Sequence, residues 1–104
     1  MTDLSTININ YENMIHQAEI LEETAGRLDN LNRNEEADFD GTLKGAWEGE
    51  NAALFQAKSA ERRLRMDEVR ERLLANARSI REAAENYKQA EITALELIEE
   101  SNLG

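Results

Sequence analysis

Apolar residues recur along the first third of the chain with the spacing of an amphipathic helix. Alternating steps of three and four residues keep them on one side of a helix and form a heptad seam. Ile15 and Leu31 widen this stripe on one side. The pattern predicts a first helix over residues 10–40. Its predicted seam residues are Tyr11, Met14, Ala18, Leu21, Ala25 and Leu28.

The residues before this helix alternate between apolar and polar. Ile7 and Ile9 are each followed by an asparagine, which is the period of an extended strand. Asn10 is a suitable N-cap, because its side chain can accept a hydrogen bond from a backbone N–H of the first turn. We therefore predict an extended lead-in over residues 1–9.

A cluster of glycines marks the joint between the two halves of the chain. Three of the five glycines fall within residues 41–49. Gly41 suits a left-handed helix C-cap, and the short connection favours an antiparallel return of the chain. The segment 41–49 is predicted to be the turn of a helical hairpin.

The second half of the chain predicts one long helix over residues 49–99, with a disordered tail at 100–104. Acidic side chains near its end have the wrong sign for the helix dipole, which favours fraying of the last turns. The seam contains one extra-long step, which predicts local unwinding of a supercoil. The seams of both helices are predicted to pack within the hairpin or in the dimer. The predicted seam residues of the second helix are Leu64, Met66, Val69, Leu73, Ala77, Ile80, Ala84 and Tyr87.

Two such helices cannot cover each other's apolar stripes. One facing helix leaves part of each stripe in water, and the stripe of the second helix widens where Leu73 and Leu74 are adjacent. The predicted fold is all-α: an antiparallel helical hairpin that dimerises into a four-helix bundle. The predicted partner is a second copy of the chain or a paralogous hairpin.

The composition narrows the possible partners and compartments. The 104 residues include 22 acidic and 12 basic side chains, a net charge of −10, so the chain repels nucleic acid and anionic membranes. It has no proline and no cysteine, which favours long helices and excludes disulfides. Met1 to Asn10 show no classical signal peptide, and no stretch is long and apolar enough to span a membrane.

Charge is divided unequally between the two helices. Residues 1–46 carry 10 acidic and 3 basic side chains, a net −7, whereas residues 58–81 carry 8 basic and 4 acidic, a net +4. Opposite charges could pair within the hairpin or between subunits. They could equally form two solvated faces, since exposed ion pairs contribute little stability.

Candidate chemistry is sparse. The single histidine, His16, lies three residues before Glu19, the reverse of the Glu-x-x-His order that di-metal helical bundles use. A surface histidine is the simpler interpretation. We expect no enzyme activity, no metal and no cofactor.

Two short motifs are more specific than the helices. Trp47 and Gly49 form a Trp-x-Gly at the predicted turn, and Tyr87 and Glu91 form a Tyr-x-x-x-Glu in the second helix. Together with the chain length and the hairpin pattern, they make residues 7–95 resemble the WXG100 family. These are small ESAT-6-like proteins of type VII secretion systems.

The resemblance implies a helical dimer that folds in the cytoplasm and is then secreted, or displayed at the cell surface, without a classical signal peptide. It implies a composite export signal, in which Trp47 and Gly49 of one subunit lie near Tyr87 and Glu91 of the other. A membrane-bound translocase ATPase would recognise that signal. Both motifs occur on one chain, as a homodimer requires.

Other roles for these residues stay open. Trp47 can close the end of the hairpin instead of contacting a partner, and Tyr87 is in register with the seam and can be a core residue. The chain could also be a cytosolic helical adaptor, or targeting partner, for a larger toxin or substrate of the same secretion route. Its unpaired apolar surface would then belong to another polypeptide.

Overall fold

The computed structural model describes residues 3–38 and 49–103, and these ranges form two long helices. Helix α1 spans Leu4–Asp38 (35 residues) and helix α2 spans Glu50–Leu103 (54 residues). No strand occurs in the described ranges. The prediction of an all-helical fold is confirmed. The predicted turn at residues 41–49 lies outside the described residues except for Gly49.

Helix α1 begins six residues earlier than the sequence pattern predicted. The Asp3 carboxylate accepts a hydrogen bond from the Thr6 backbone N–H (2.8 Å), and the Asp3 carbonyl accepts one from the Ile7 N–H (3.0 Å). The hydrogen bond from the Thr6 N–H is the main reason that the pKa of Asp3 is lowered. Asp3 is therefore the N-cap, as a short acidic side chain can be at a helix start.

The extended lead-in over residues 1–9 was therefore a wrong prediction for residues 4–9, and Asn10 lies inside α1. The local alternation was misleading because Ile7 also lies four residues before Tyr11. That step continues the heptad seam toward the N-terminus, and Ile7 is completely buried. The burial of Ile7 therefore stabilises the helical conformation of this segment over an extended one.

Helix α2 also continues beyond its predicted end. It includes residues 100–103, which were predicted to be a disordered tail. No Gly or Pro interrupts residues 50–103, so nothing in the sequence terminates the helix before Gly104.

The chain divides into two compact units, each of which contains a piece of both helices. The first unit comprises residues 1–21 and 75–104, and the second comprises residues 22–74. Within the second unit, Asp29 contacts Arg70 and Glu35 contacts Arg62. From Asp29 to Glu35 the chain moves forward along α1, while the contacted residue moves back along α2 from Arg70 to Arg62. The two helices of this unit therefore run antiparallel.

Small side chains occupy most of the buried positions. Ala18, Ala77 and Ala84 are buried with Ile7 in the first unit. In the second unit the buried apolar residues are Ala25 and Ala52. Alanine permits close approach of two helices but buries little apolar area per residue. Apart from Ile7, the larger apolar side chains of the described residues are consequently left half-buried or exposed.

The row of α2 residues that is covered within the chain includes Arg70, which is not among the predicted seam residues. Met66, Arg70, Leu73 and Ala77 are at least half-buried and follow one another at steps of four, three and four. Val69, the predicted seam residue, is 45% exposed. The row that includes Arg70 has no extra-long step.

Candidate functional site

Gly49 is the described part of the Trp-x-Gly motif, and it starts α2. Its carbonyl accepts a hydrogen bond from the Ala53 N–H (3.1 Å), which makes it the N-cap. Its φ is +104°, a conformation that side-chain-bearing residues rarely adopt. A Cβ placed here would meet no atom within 4 Å. Gly49 is thus required by the backbone conformation and not by a close contact. Trp47 lies outside the described residues.

Tyr87 and Glu91, the other motif, lie one turn apart on α2 in the first unit. Such a spacing places both side chains on one face of the helix, and both are half-buried. The Asn10 side-chain amide, through Nδ2, donates a hydrogen bond of 2.9 Å to the Tyr87 hydroxyl. Tyr87 therefore contacts α1, while part of its surface stays accessible to a partner.

A second tyrosine forms the neighbouring cross-helix contact. The Tyr11 hydroxyl donates a hydrogen bond to the Glu85 carboxylate, and the Lys88 ammonium lies 4.5 Å from the centre of the Tyr11 ring. The bond to Glu85 is the main reason that the pKa of Tyr11 is raised. The ring and the cation form a cation–π contact. These contacts fix how the first turns of α1 lie against α2.

A polar network joins the helices of the second unit. The Arg70 guanidinium lies 2.6 Å from the Asp29 carboxylate. Burial alone would lower the pKa of Arg70, but the charges of Asp29 and Asp67 raise it, so Arg70 is a permanent cation. The Asn32 amide donates to the Asp67 carboxylate (3.0 Å) and to the Arg63 carbonyl (3.2 Å). Both partners are acceptors, which fixes the orientation of the Asn32 amide.

This network contains buried polar atoms that lack a hydrogen bond. They are Asn32 Oδ1, Arg63 Nη1 and Arg70 Nε. Asn32 and Arg63 also line a surface groove of about 370 Å³. One acceptor and two donors left unpaired in a small area destabilise the unit, because buried polar groups normally find partners. The groove is lined by Asn32, Glu36, Ala60, Arg63, Leu64 and Asp67.

The side of the second unit that lies opposite this groove is apolar. On α2, Met66, Val69 and Leu73 continue the row that starts at Arg62, with steps of four, three and four. On α1, Leu28 and Leu31 precede Glu35 with steps of three and four, so these three residues also lie along one side of their helix. The ion pair between Glu35 and Arg62 joins the two rows, so they share one side of the unit. We call Leu28, Leu31, Met66, Val69 and Leu73 the apolar face.

The apolar face is only partly covered within the chain. Leu31 is 58% exposed and Val69 is 45% exposed, while Leu28, Met66 and Leu73 are half-buried. Leu64, also predicted for the seam, lies in the groove on the other side and is 64% exposed. Neither Leu64 nor Val69 is a core residue of the hairpin.

The other predicted seam residues face the neighbouring helix to different extents. Ala18, Ala25, Ala77 and Ala84 are buried. Tyr11, Met14, Ile15, Leu21 and Ile80 are half-buried. Asn32, four residues after Leu28, is also buried, with 8% of its surface exposed.

His16 has an ordinary surface environment. Its side chain is 68% exposed, and its Nδ1 lies 3.9 Å from the Glu19 carboxylate. Among the described residues, no group of three or more His, Cys, Asp or Glu side chains is placed to hold a metal ion. Neither described helix is long and apolar enough to cross a membrane.

Comparison with known proteins adds no family to these observations. No protein-family model, no curated protein and no solved structure matches the chain. The functional assignment therefore depends on the two motifs and on the surfaces described above.

Proposed function

We propose that the chain is a small secreted protein of a type VII, ESAT-6-like secretion system, which is exported as a folded helical dimer and acts through protein–protein contacts. The observation that carries this proposal is the placement of Tyr87 and Glu91. Both are partly accessible on one face of a continuous helix, one turn apart, as a helical recognition signal requires. Gly49, from the other motif, begins the same helix.

The apolar face supports the dimer. Five apolar side chains on one side of a small unit are more than single scattered surface residues, and such patches commonly mark interfaces. In a homodimer the same face of two copies would pack together around a two-fold axis, as most symmetric dimers do. The cross-helix ion pair of Glu35 and Arg62 would lie at the rim of this interface.

The oligomeric state can be tested with one pair of variants. Sedimentation of the purified chain should give twice the chain mass of 11.8 kDa. Val69→Glu places a charge in the apolar face and should give the monomer mass, because burying an unpaired charge is strongly unfavourable. Glu68→Gln, at an exposed neighbouring position, is the control and should stay dimeric. A monomeric wild-type chain, or a dimeric Val69→Glu variant, contradicts this interface.

Export can be tested in the cell that produces the chain. Deleting the segment after Ala84 removes both Tyr87 and Glu91 and should retain the protein inside. Glu91→Gln should also reduce export, whereas Glu96→Gln, which removes the same charge at an exposed position on the same helix, should not. Normal export of the truncated chain would exclude the Tyr-x-x-x-Glu as a signal. The membrane-bound translocase ATPase is the expected recognition partner.

A cytosolic helical adaptor for a larger toxin or substrate of the same route is the second candidate. The apolar face favours it too, since that face could pack against a different polypeptide. Purification from the native cell distinguishes the two candidates. A stoichiometric larger protein that is released by Val69→Glu supports the adaptor, and a homodimer alone supports the first proposal.

A further inference from the structure

The contact between Asn10 and Tyr87 determines what the proposed export signal offers to its partner. The Asn10 Nδ2 donates to the Tyr87 oxygen at 2.9 Å. A phenol has one O–H donor and accepts through its oxygen. Because Asn10 occupies an acceptor position, the Tyr87 hydrogen turns away from Asn10. The described residues give that hydrogen no acceptor.

Glu91 complements this donor on the same helix face. Its carboxylate accepts hydrogen bonds and does not donate them, the residue is half-buried, and it follows Tyr87 by one turn. The face therefore presents an O–H donor and a carboxylate acceptor side by side. A protein that binds both must present an acceptor, such as a carboxylate or carbonyl, opposite Tyr87 and a donor, such as a guanidinium or amide, opposite Glu91.

We infer that Asn10, on α1, is a positioning residue of the C-terminal signal: it sets the Tyr87 hydroxyl as a hydrogen-bond donor toward the translocase. This inference rests on the proposed function. It extends the signal beyond the second helix to a residue far away in the sequence. It also requires that the translocase present a hydrogen-bond acceptor opposite Tyr87.

Reversing the polarity of the contact tests this inference. In Asn10→Asp the side chain keeps its shape but can only accept, so the Tyr87 hydroxyl turns and donates to it. The bond between the helices is retained, and the melting temperature should stay near that of the wild type. The donor offered to the translocase is lost. Export should fall about two- to tenfold, which is the effect of one net hydrogen bond. Asn8→Asp, at an exposed position on the same helix, adds the same charge and should be exported normally.

A double-mutant cycle separates this effect from a general loss of folding. In a Tyr87→Phe background the hydroxyl is absent, so Asn10→Asp should reduce export no further. An equal reduction in both backgrounds, or normal export of Asn10→Asp in the wild-type background, overturns the inference. If Tyr87→Phe lowers export while Asn10→Asp does not, the signal stands and the role of Asn10 does not. A wild-type chain that is not exported overturns the proposed function and this inference together.

Discussion

Asn32 gives the sharpest test of how the hairpin is stabilised. It occupies a seam position of α1 that an apolar residue would normally fill, and 8% of its surface is exposed. Its amide nitrogen has two acceptors, but its Oδ1 is buried without a partner. We predict that Asn32→Leu, which keeps the same number and branching of side-chain heavy atoms, stabilises the folded chain.

The expected size follows from three contributions. Burying a leucine at this position stabilises by about 1.5–3 kcal/mol. Removing the unpaired Oδ1 removes a desolvation cost of about 1–3 kcal/mol. Against this, two hydrogen bonds are lost: one to the Arg63 carbonyl, at about 0.5–1.5 kcal/mol, and one to the Asp67 carboxylate, at about 1.5–3 kcal/mol. The cost of losing these two hydrogen bonds lies at the low end of these ranges, because the Asp67 side chain is 47% exposed and can hydrogen-bond to water instead. The Arg63 carbonyl keeps its partner within α2. The net expectation is a gain of about 1–2 kcal/mol.

Urea denaturation followed by circular dichroism measures this difference. The control is Asn34→Leu, an exposed position two residues away that reports the change in helix propensity alone. The free energy of unfolding of Asn32→Leu should exceed that of Asn34→Leu by the predicted amount, and the m-value should be unchanged. If Asn32→Leu is instead less stable than Asn34→Leu by 1 kcal/mol or more (roughly the worth of one hydrogen bond), the hydrogen bonds of Asn32 outweigh its apolar replacement. The reasoning about the unpaired oxygen is then wrong.

Two further predictions concern glycines and a tyrosine. Gly26 lies in the interior of α1, and a Cβ added there would meet no neighbouring atom within 4 Å. Gly26→Ala should therefore stabilise the folded chain by about 0.5–1 kcal/mol. Gly49→Ala should destabilise by about 1–3 kcal/mol, because its φ of +104° is strained for alanine; thermal melts that rank the two variants the other way contradict this. An ultraviolet titration should show the pKa of Tyr11 raised above the ordinary tyrosine value, and Glu85→Gln should remove most of that increase. Since the raised pKa belongs to the folded state, the associated stability is present below about pH 10 and is lost as the pH rises through the Tyr11 pKa.

The heptad spacing was sufficient to predict two long helices. It failed where a polar residue occupies a seam position. Arg70 was passed over for Val69 because the pattern weighs only apolarity, and the carboxylate that neutralises Arg70 comes from Asp29 on the other helix. Asn32 was missed for the same reason. A sequence pattern cannot anticipate a cross-helix partner until the register of the two helices is known.

The candidate site was predictable in part. The one-turn spacing of Tyr87 and Glu91 follows from the helix period alone, and so does their shared face. The contact from Asn10 does not, because 77 residues separate it from Tyr87 along the chain. Asp3 was visible as a capping residue type, but the alternation around Ile7 favoured a later helix start.

The alanine core has a consequence for the sequence changes that this chain can tolerate. At Ala18, Ala25, Ala77 and Ala84 the side chain fills the available space, with at most 1% of its surface exposed. A larger residue at any of these positions would push the two helices apart, and overpacking of this kind costs about 1–3 kcal/mol. The large residues of the apolar face are less tightly enclosed within the chain, so an exchange of one large apolar side chain for another there costs the hairpin little. Variation among functional versions of this chain should therefore accumulate at its big side chains, while its smallest ones stay the same.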